Sequence, residues 1–293
     1  MPELPDIRNY VAALERFVVG KQLRSFLIRS PFVLRTYAPP PEEFVGKKIT
    51  SILRLGKRIV LQFEDELLAV VHLMISGRFQ WKPPESKPTR KTDLAALQFE
   101  NGTLLLTEAS GKKRASLHLL RGHEGLVEHR RSGLSVEEIT AADFAAQLTR
   151  SNRTLKRCLT DPNTFDGIGN AYSDEILHAA RLSPLKQTRQ LTEGEVHRLL
   201  KAAQVTLAMW TQRLAEETGD QFPKKVTAFH PKMAVHGRFG KPCPDCGKTV
   251  QRIVFSEREF NYCPGCQTNG RLLKDRSLSR LLKDDWPATI DEA

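Results

Sequence analysis

Apolar residues at Ile7, Val11, Leu14 and Val18 recur at the interval of one helical face, so the chain is expected to enter a helix almost at its amino terminus. From about Gln22 to Leu120 the pattern changes to period two and short apolar runs, at 23–28, 49–53, 59–63, 67–73, 94–99, 104–106 and 115–119. With Asp65-Glu66 and Asn101-Gly102 as turns between some of these runs, the pattern predicts a β-sandwich or barrel. The Pro-rich basic stretch 82–91 interrupts it as a solvated loop, and Gly122 to Gly133 reads as a linker. Helical spacing then returns. Ser135-x-x-Glu138 has the form of a capping box opening a helix to about Thr149, and further helices are expected over 153–160 and 171–180. Thr192-x-x-Glu195 caps a long helix whose apolar face carries Val196, Leu199, Leu200, Ala203, Leu207, Trp210 and Leu214. Near the end, Leu272, Leu273, Leu278, Leu281 and Leu282 predict a short amphipathic helix before Trp286-Pro287. The fold class is therefore α+β: an amino-terminal helix with a β domain, then a helical domain.

At 293 residues the chain exceeds one usual core, and two domains plus a small module are expected. Lys and Arg outnumber Asp and Glu by 45 to 34, a net charge of +11, which points to a polyanionic partner. Basicity alone does not separate a nucleic-acid protein from a membrane-surface or ribosome-associated one. No signal peptide and no apolar run long enough to cross a membrane is present in the sequence, so a reducing cytoplasm is the expected setting.

That setting bears on the cysteines. Cys243-Pro-Asp-Cys246 and Cys263-Pro-Gly-Cys266 are two knuckles separated by sixteen residues, a spacing that puts four thiolates at the corners of a tetrahedron. One structural zinc ion is expected there, since four sulfurs leave no open position for water. Residues 248–255 and 260–262 read as the strands of the hairpin it holds, with Arg258 near the tip. Cys158 lies among apolar neighbours and reads as a buried small residue. Two short signals remain ambiguous on residue type alone. Pro2-Glu3 supplies a secondary amine beside a carboxylate once Met1 is removed, yet prolines also commonly set a first helical turn. Asp166-Gly-Ile-Gly-Asn170 before a helix can aim N–H groups and an amide at phosphate oxygens, although glycine turns before helices are common.

Taken in order, Pro2-Glu3-Leu4-Pro5, the β domain, the Gly-Ile-Gly-Asn170 turn and the four-cysteine ribbon resemble the formamidopyrimidine-DNA glycosylase and endonuclease VIII family of base-excision repair, to about Gln267. The resemblance implies an amino-terminal β-sandwich domain over 1–121 and a helix-two-turns-helix DNA-binding domain over 134–222. It also implies a zinc-ribbon finger over 235–267, with 268–293 as an extension. It implies a bifunctional glycosylase and abasic-site lyase acting on damaged DNA as a monomer near the nucleoid, without a small-molecule cofactor or membrane. Pro2 would be the nucleophile, Glu3 would move protons, and Lys57 in Leu55-Gly56-Lys57-Arg58 would contact the lesion's phosphate. Lys156, Asn170, with Glu175 in the following helix, and Arg258 would hold DNA.

The departures concern damage reading. Where many relatives read His-Leu-Gly-Met-Ser/Thr-Gly, this chain reads His72-Leu73-Met74-Ile75-Ser76-Gly77, which makes Ile75 the void-filling residue, or Met74 if the loop shifts. In place of an Asp-Pro-Arg-Arg-Phe-Gly loop stands Ala109-Ser-Gly-Lys-Lys-Arg114, with Lys112 and Lys113 where an Arg and a Phe wedge are usual. Asp6 stands where Glu is usual, and the segment before Val235 is short. A lesion other than 8-oxoguanine opposite cytosine is therefore expected. Two other readings compete: a non-catalytic DNA- or RNA-binding zinc protein on the same scaffold, and a translation-associated zinc-ribbon protein. Pro2, Glu3 and Lys57 together argue against the first, and the amino terminus with Asn170 against the second.

Overall fold

A computed structural model describes residues 1–224, 226, 229–255, 258–274 and 289–290. Helix α1 (Leu4–Val18) forms where the apolar spacing predicts, burying Ile7, Leu14 and Val18 on one face. Pro5 lies in its first turn, where a missing N–H costs nothing, and the Asp6 carboxylate accepts the Glu3 N–H at 2.8 Å in a capping box.

Eight strands follow: β1 (Ser25–Ile28), β2 (Ile49–Leu55), β3 (Arg58–Phe63), β4 (Leu67–His72), β5 (Gly77–Lys82), β6 (Asp93–Phe99), β7 (Gly102–Glu108) and β8 (Ser116–Arg121). They form two antiparallel four-stranded sheets in the orders β1-β6-β7-β5 and β2-β3-β4-β8, the two layers of a sandwich. Burial alternates along β8, whereas β4, β6 and β7 are buried at nearly every position, and the β3–β4 turn carries Asp65 and Glu66 at φ +56° and +57°, as a primed turn needs. The β6–β7 turn differs from expectation by one residue. Phe99 pairs with Gly102, so Glu100 and Asn101 make the turn and Gly102 is already in the strand. A Cβ at Gly102 would lie 2.3 Å from the Trp81 ring, so the glycine serves packing rather than the turn.

The compact unit built on this sandwich comprises residues 1–131 together with 210–227. Phe222 and Val226 belong to its core with the apolar faces of α1 and both sheets. The Phe222 ring meets Phe17 edge-on at 5.6 Å and stacks on Trp81 at 6.1 Å.

Residues 132–209 and 228–293 form the second unit. It holds α2 (Ala141–Thr149), α3 (Leu155–Leu159), α4 (Asn170–Ala179), the first part of α5 (Glu193–Thr218), the hairpin β9 (Gln251–Phe255) and β10 (Arg258–Tyr262), and α6 (Pro264–Thr268). The capping box at Thr192 forms: the Thr192 N–H donates to Glu195, and the Glu195 N–H donates to the Thr192 hydroxyl. The one expected at Ser135 does not. Leu134 pairs in extended form with Phe165 and Val136 is buried, so the helix waits for Thr140, whose hydroxyl accepts the Asp143 N–H at 3.1 Å. The expected linker contains a 3-10 turn over His123–His129. The expected carboxy-terminal helix falls mostly on residues 275–288, outside the described residues, as do 256 and 257 in the hairpin turn. Among the described residues no helix is long and apolar enough to cross a membrane.

Candidate functional site

In the sandwich unit the start of α1 gathers the amino-terminal residues. Pro2 is buried, and Glu3 and Asp6 are 2% and 3% exposed. Met1 precedes them, and its α-amino group lies in the field of Glu3, Arg78, Asp6 and Lys57. Burial pulls that amine below its ordinary pKa, Arg78 and Lys57 reinforce the shift, and Glu3 and Asp6 oppose it. Burial also pushes the Asp6 carboxyl up to about 7; the Glu3 N–H opposes the shift, and the Glu3 carboxylate adds to it. Lys57 reaches this group from the β2–β3 turn. Leu55 pairs with Arg58, so Gly56 and Lys57 form a two-residue loop with Gly56 at φ +64°, a conformation glycine adopts without strain. Arg78 was not singled out by sequence; nothing in the alternation of β5 marks it.

Two loops beside these elements carry Ile75 and Lys112. Ile75 is 57% exposed at the tip of the β4–β5 turn, where Met74 adopts φ +53°. That left-handed conformation is one glycine adopts without the steric cost a Met side chain incurs. Arg78 Nη1 donates to the Gly77 and Ile75 carbonyls at 2.6 and 3.2 Å, holding the tip from beneath. Lys112 is exposed, whereas the Lys113 ammonium turns back to the Glu108 carbonyl. The Glu108 carboxylate, 1% exposed, joins the two loops. It accepts the N–H groups of Arg114 and Ala115 at 2.8 and 3.0 Å and the Ser76 hydroxyl at 3.3 Å. A carboxylate closing the otherwise uncharged strand Gly102–Glu108 was the available signal. His72, opposite Arg58, has its pKa pushed down to about 4 by burial, then by Arg58 and Lys57.

In the second unit Asn170 opens α4 and is exposed, and its Nδ2 donates to the Glu259 carbonyl of β10 at 2.9 Å. Lys156 lies inside, 1% exposed, with Nζ donating to the Asn170 carbonyl at 2.6 Å and paired with Asp174. Asp174 also meets His236 Nδ1 at 2.7 Å and the Asn261 N–H at 3.2 Å. Glu175 accepts three consecutive N–H groups, from Ala234, Val235 and His236, at 2.7, 2.9 and 2.9 Å. Sequence reading saw Lys156 and Glu175 but not the pairing of Asp174 with His236, which are 62 residues apart. Arg258 is the first residue of β10, opposite Phe255.

The four knuckle cysteines converge at one end of this hairpin. Sγ of Cys243 lies 3.8 Å from that of Cys266, and Cys246 lies 3.3 Å from Cys263. Four zinc-bound sulfurs at about 2.3 Å from the metal stand about 3.8 Å apart, so the set needs little adjustment. A Cβ on Gly265 would come within 3.0 Å of Cys246 Sγ, which accounts for the glycine in the second knuckle. Cys243, Cys246, Cys263 and Cys266 thus fit one structural zinc ion. Cys158 is buried and apart, its thiol pushed up to about 11 by burial.

Models of three families match the chain: the formamidopyrimidine-DNA glycosylase N-terminal domain over residues 1–110, the formamidopyrimidine-DNA glycosylase H2TH domain over 133–218, and the zinc finger found in FPG and IleRS over 240–269. A formamidopyrimidine-DNA glycosylase of Thermus thermophilus is 32% identical over 279 residues, covering 92% of this chain and all of the relative. One from Listeria innocua is 28% identical and covers 91% of this chain. The Lactococcus lactis Fpg bound to DNA containing an N7-benzyl-Fapy-dG superposes with a TM-score of 0.80 at 25% identity, over 91% of this chain and 100% of its own. The same enzyme bound to DNA containing an oxidised pyrimidine gives the same score, 0.80. With matches from the amino-terminal domain through the zinc finger, and the full length of the Thermus relative covered, the chain belongs to the formamidopyrimidine-DNA glycosylase family.

Proposed function

We propose that the protein is a bifunctional DNA glycosylase and abasic-site lyase of base-excision repair, acting on oxidised or ring-opened bases through Pro2. The observation that carries this reading is the enclosed amino terminus, where Pro2 is buried beside Glu3 and Asp6 and where burial, Arg78 and Lys57 lower the pKa of the α-amino group that Met1 carries there. Removal of Met1 exposes the Pro2 nitrogen. That nitrogen attacks C1′ of the damaged nucleotide, the C1′–base bond breaks, and the base leaves with a proton supplied from the carboxyl pair. The C1′–O4′ bond then opens as O4′ takes a proton, which leaves an iminium between Pro2 and C1′; this makes the C2′ proton acidic, and its removal expels the 3′ phosphate by β-elimination, after which δ-elimination releases the 5′ phosphate. Asp6, with a pKa of about 7, can give or take a proton near neutrality.

Asn170, Arg258 and Lys57 are assigned to phosphates, and Ile75 and Lys112 to the space left by the extruded nucleotide. Lys156 supports this indirectly: bound to the Asn170 carbonyl, it positions the turn rather than touching DNA. The complexes of the Lactococcus enzyme with damaged DNA support a DNA substrate for this chain as well.

Borohydride trapping on abasic DNA tests the chemistry. A covalent adduct at Pro2 is expected in the wild type; Pro2→Gly should weaken or reroute it, and Glu3→Gln should suppress base excision more than cleavage at a preformed abasic site. Intact Met1 in active protein, by mass spectrometry, would overturn the assignment. The lesion is tested by single-turnover cleavage of duplexes carrying each lesion opposite each base. A flexible lysine offers neither the planar fork of Arg nor the apolar area of Phe, so weak opposite-base discrimination is expected. Fast, cytosine-dependent excision of 8-oxoguanine contradicts it.

A further inference from the structure

His178 lies in the last turn of α4, 4% exposed, and belongs to none of the roles described so far. Its Nε2 is 3.3 Å from Cys243 Sγ and 4.0 Å from the Asp245 carboxylate, both in the first knuckle. Facing a thiolate and a carboxylate, this nitrogen must carry the hydrogen, because an unprotonated Nε2 would set a lone pair against two acceptors. The neighbourhood holds five donor atoms for four tetrahedral positions. Nε2 and the sulfurs of Cys243, Cys263 and Cys266 lie within 4.8 Å of one another, while Cys246 pairs with Cys263 at 3.3 Å. Both knuckles have the same Cys-x-x-Cys form, and the Cys243 to Cys266 separation of 3.8 Å already equals that of bound sulfurs, so the cysteines fill the positions.

We infer that His178 is the outer hydrogen-bond donor of the zinc centre, giving its Nε2–H to the Cys243 thiolate without binding the metal. The electrostatic need is plain. Zinc with four thiolates carries a net charge of −2, and two of these sulfurs belong to cysteines 3% and 0% exposed. Buried negative charge requires donors. The Cys266 N–H reaches Cys263 Sγ at 3.5 Å, and His178 supplies the corresponding bond at Cys243. The position of His178 adds a mechanical role. Asn170, eight residues earlier and about 12 Å along the same helix, holds the Glu259 carbonyl of the hairpin. The ribbon is therefore gripped by both ends of α4, and one grip depends on the thiolate that zinc creates.

The inference rests on the four-cysteine zinc centre, whose own check is a metal stoichiometry of one per chain. The test of His178 is separate. In full-length protein, competition with a chromophoric chelator should show His178→Phe binding zinc about 10–100-fold more weakly, with His178→Gln, which keeps an N–H donor, recovering most of the loss. Cobalt-substituted wild type and both variants should all show the charge-transfer intensity of four thiolates. Unchanged zinc affinity in His178→Phe overturns the inference, and so does a wild-type cobalt spectrum with three thiolates and one imidazole. Should the Phe variant not fold, cadmium-loaded wild type decides by NMR. A scalar coupling from the His178 Nε2 proton to the metal across Cys243 Sγ is expected, and its absence overturns the donor role.

Discussion

Glu108 in the sandwich unit and Glu175 in the helical unit are both buried carboxylates that fix functional loops, and they do so differently. Glu175 takes three successive N–H groups of one segment, Ala234 to His236, and so makes that segment a rigid piece attached to α4. Glu108 divides its bonds between the 110–115 loop and Ser76. It sets the spacing of two loops while leaving their tips, Ile75 and Lys112, exposed. The difference follows the tasks proposed for each place. A phosphate clamp needs fixed geometry, whereas a reader of unstacked bases needs two reaching tips at a held distance.

The largest effect is expected where the bonds are consecutive. Glu175→Ala leaves three N–H groups without their acceptor, two of them buried, and urea unfolding should show a loss of about 3–5 kcal/mol. Asp6 sharpens the comparison, as a carboxyl 3% exposed with the Glu3 N–H as its backbone donor. Its pKa of about 7 in the folded chain exceeds the ordinary 3.8, so the folded state binds the proton more tightly. The associated stability is fully present below about pH 4 and is lost as pH rises through 7. Asp6→Asn should match the wild type near pH 4 and exceed it at pH 8 by at most about 4 kcal/mol, read from thermal unfolding across that range.

Glu108→Gln keeps one acceptor and should cost about 1–2 kcal/mol, while slowing single-turnover excision more than cleavage of a preformed abasic site. Equal slowing of both steps would mean that Glu108 serves the fold alone. The smallest effect is expected at the tip itself. Met74→Gly relieves a left-handed Met at φ +53° but adds freedom to the unfolded chain, so the midpoint of unfolding should change by less than about 1 kcal/mol.

Sequence alone carried α1, seven of the eight sandwich strands and the long helix, because each is specified by its own apolar pattern; β5 (Gly77–Lys82) lay outside every expected run. The zinc ligands were legible for a related reason, since two knuckles state their geometry within four residues each. The caps were only half legible. Ser135-x-x-Glu138 and Thr192-x-x-Glu195 have the same form, yet only Thr192 acts, because the pairing of Leu134 with Phe165 claims the residues beside Ser135. Lys156 was recognised, but its inward direction depends on Asp174, and Asp174 depends on His236 across 62 residues. Arg78, Glu108 and His178 stayed hidden for the same reason: each acts on groups that its neighbours in sequence do not announce.

Phe222 has a consequence for synthesis on the ribosome. The ring closes the aromatic cluster of Tyr10, Phe17 and Trp81, yet it is made long after residue 131, where the sandwich strands are complete. At bacterial-like elongation rates the interval between residues 131 and 227 is roughly 5–20 s, during which the nascent sandwich has an open apolar seam. Chains arrested within that interval should be cut by protease and held by chaperones, and resistance should arrive only when residues 210–227 have cleared the exit tunnel.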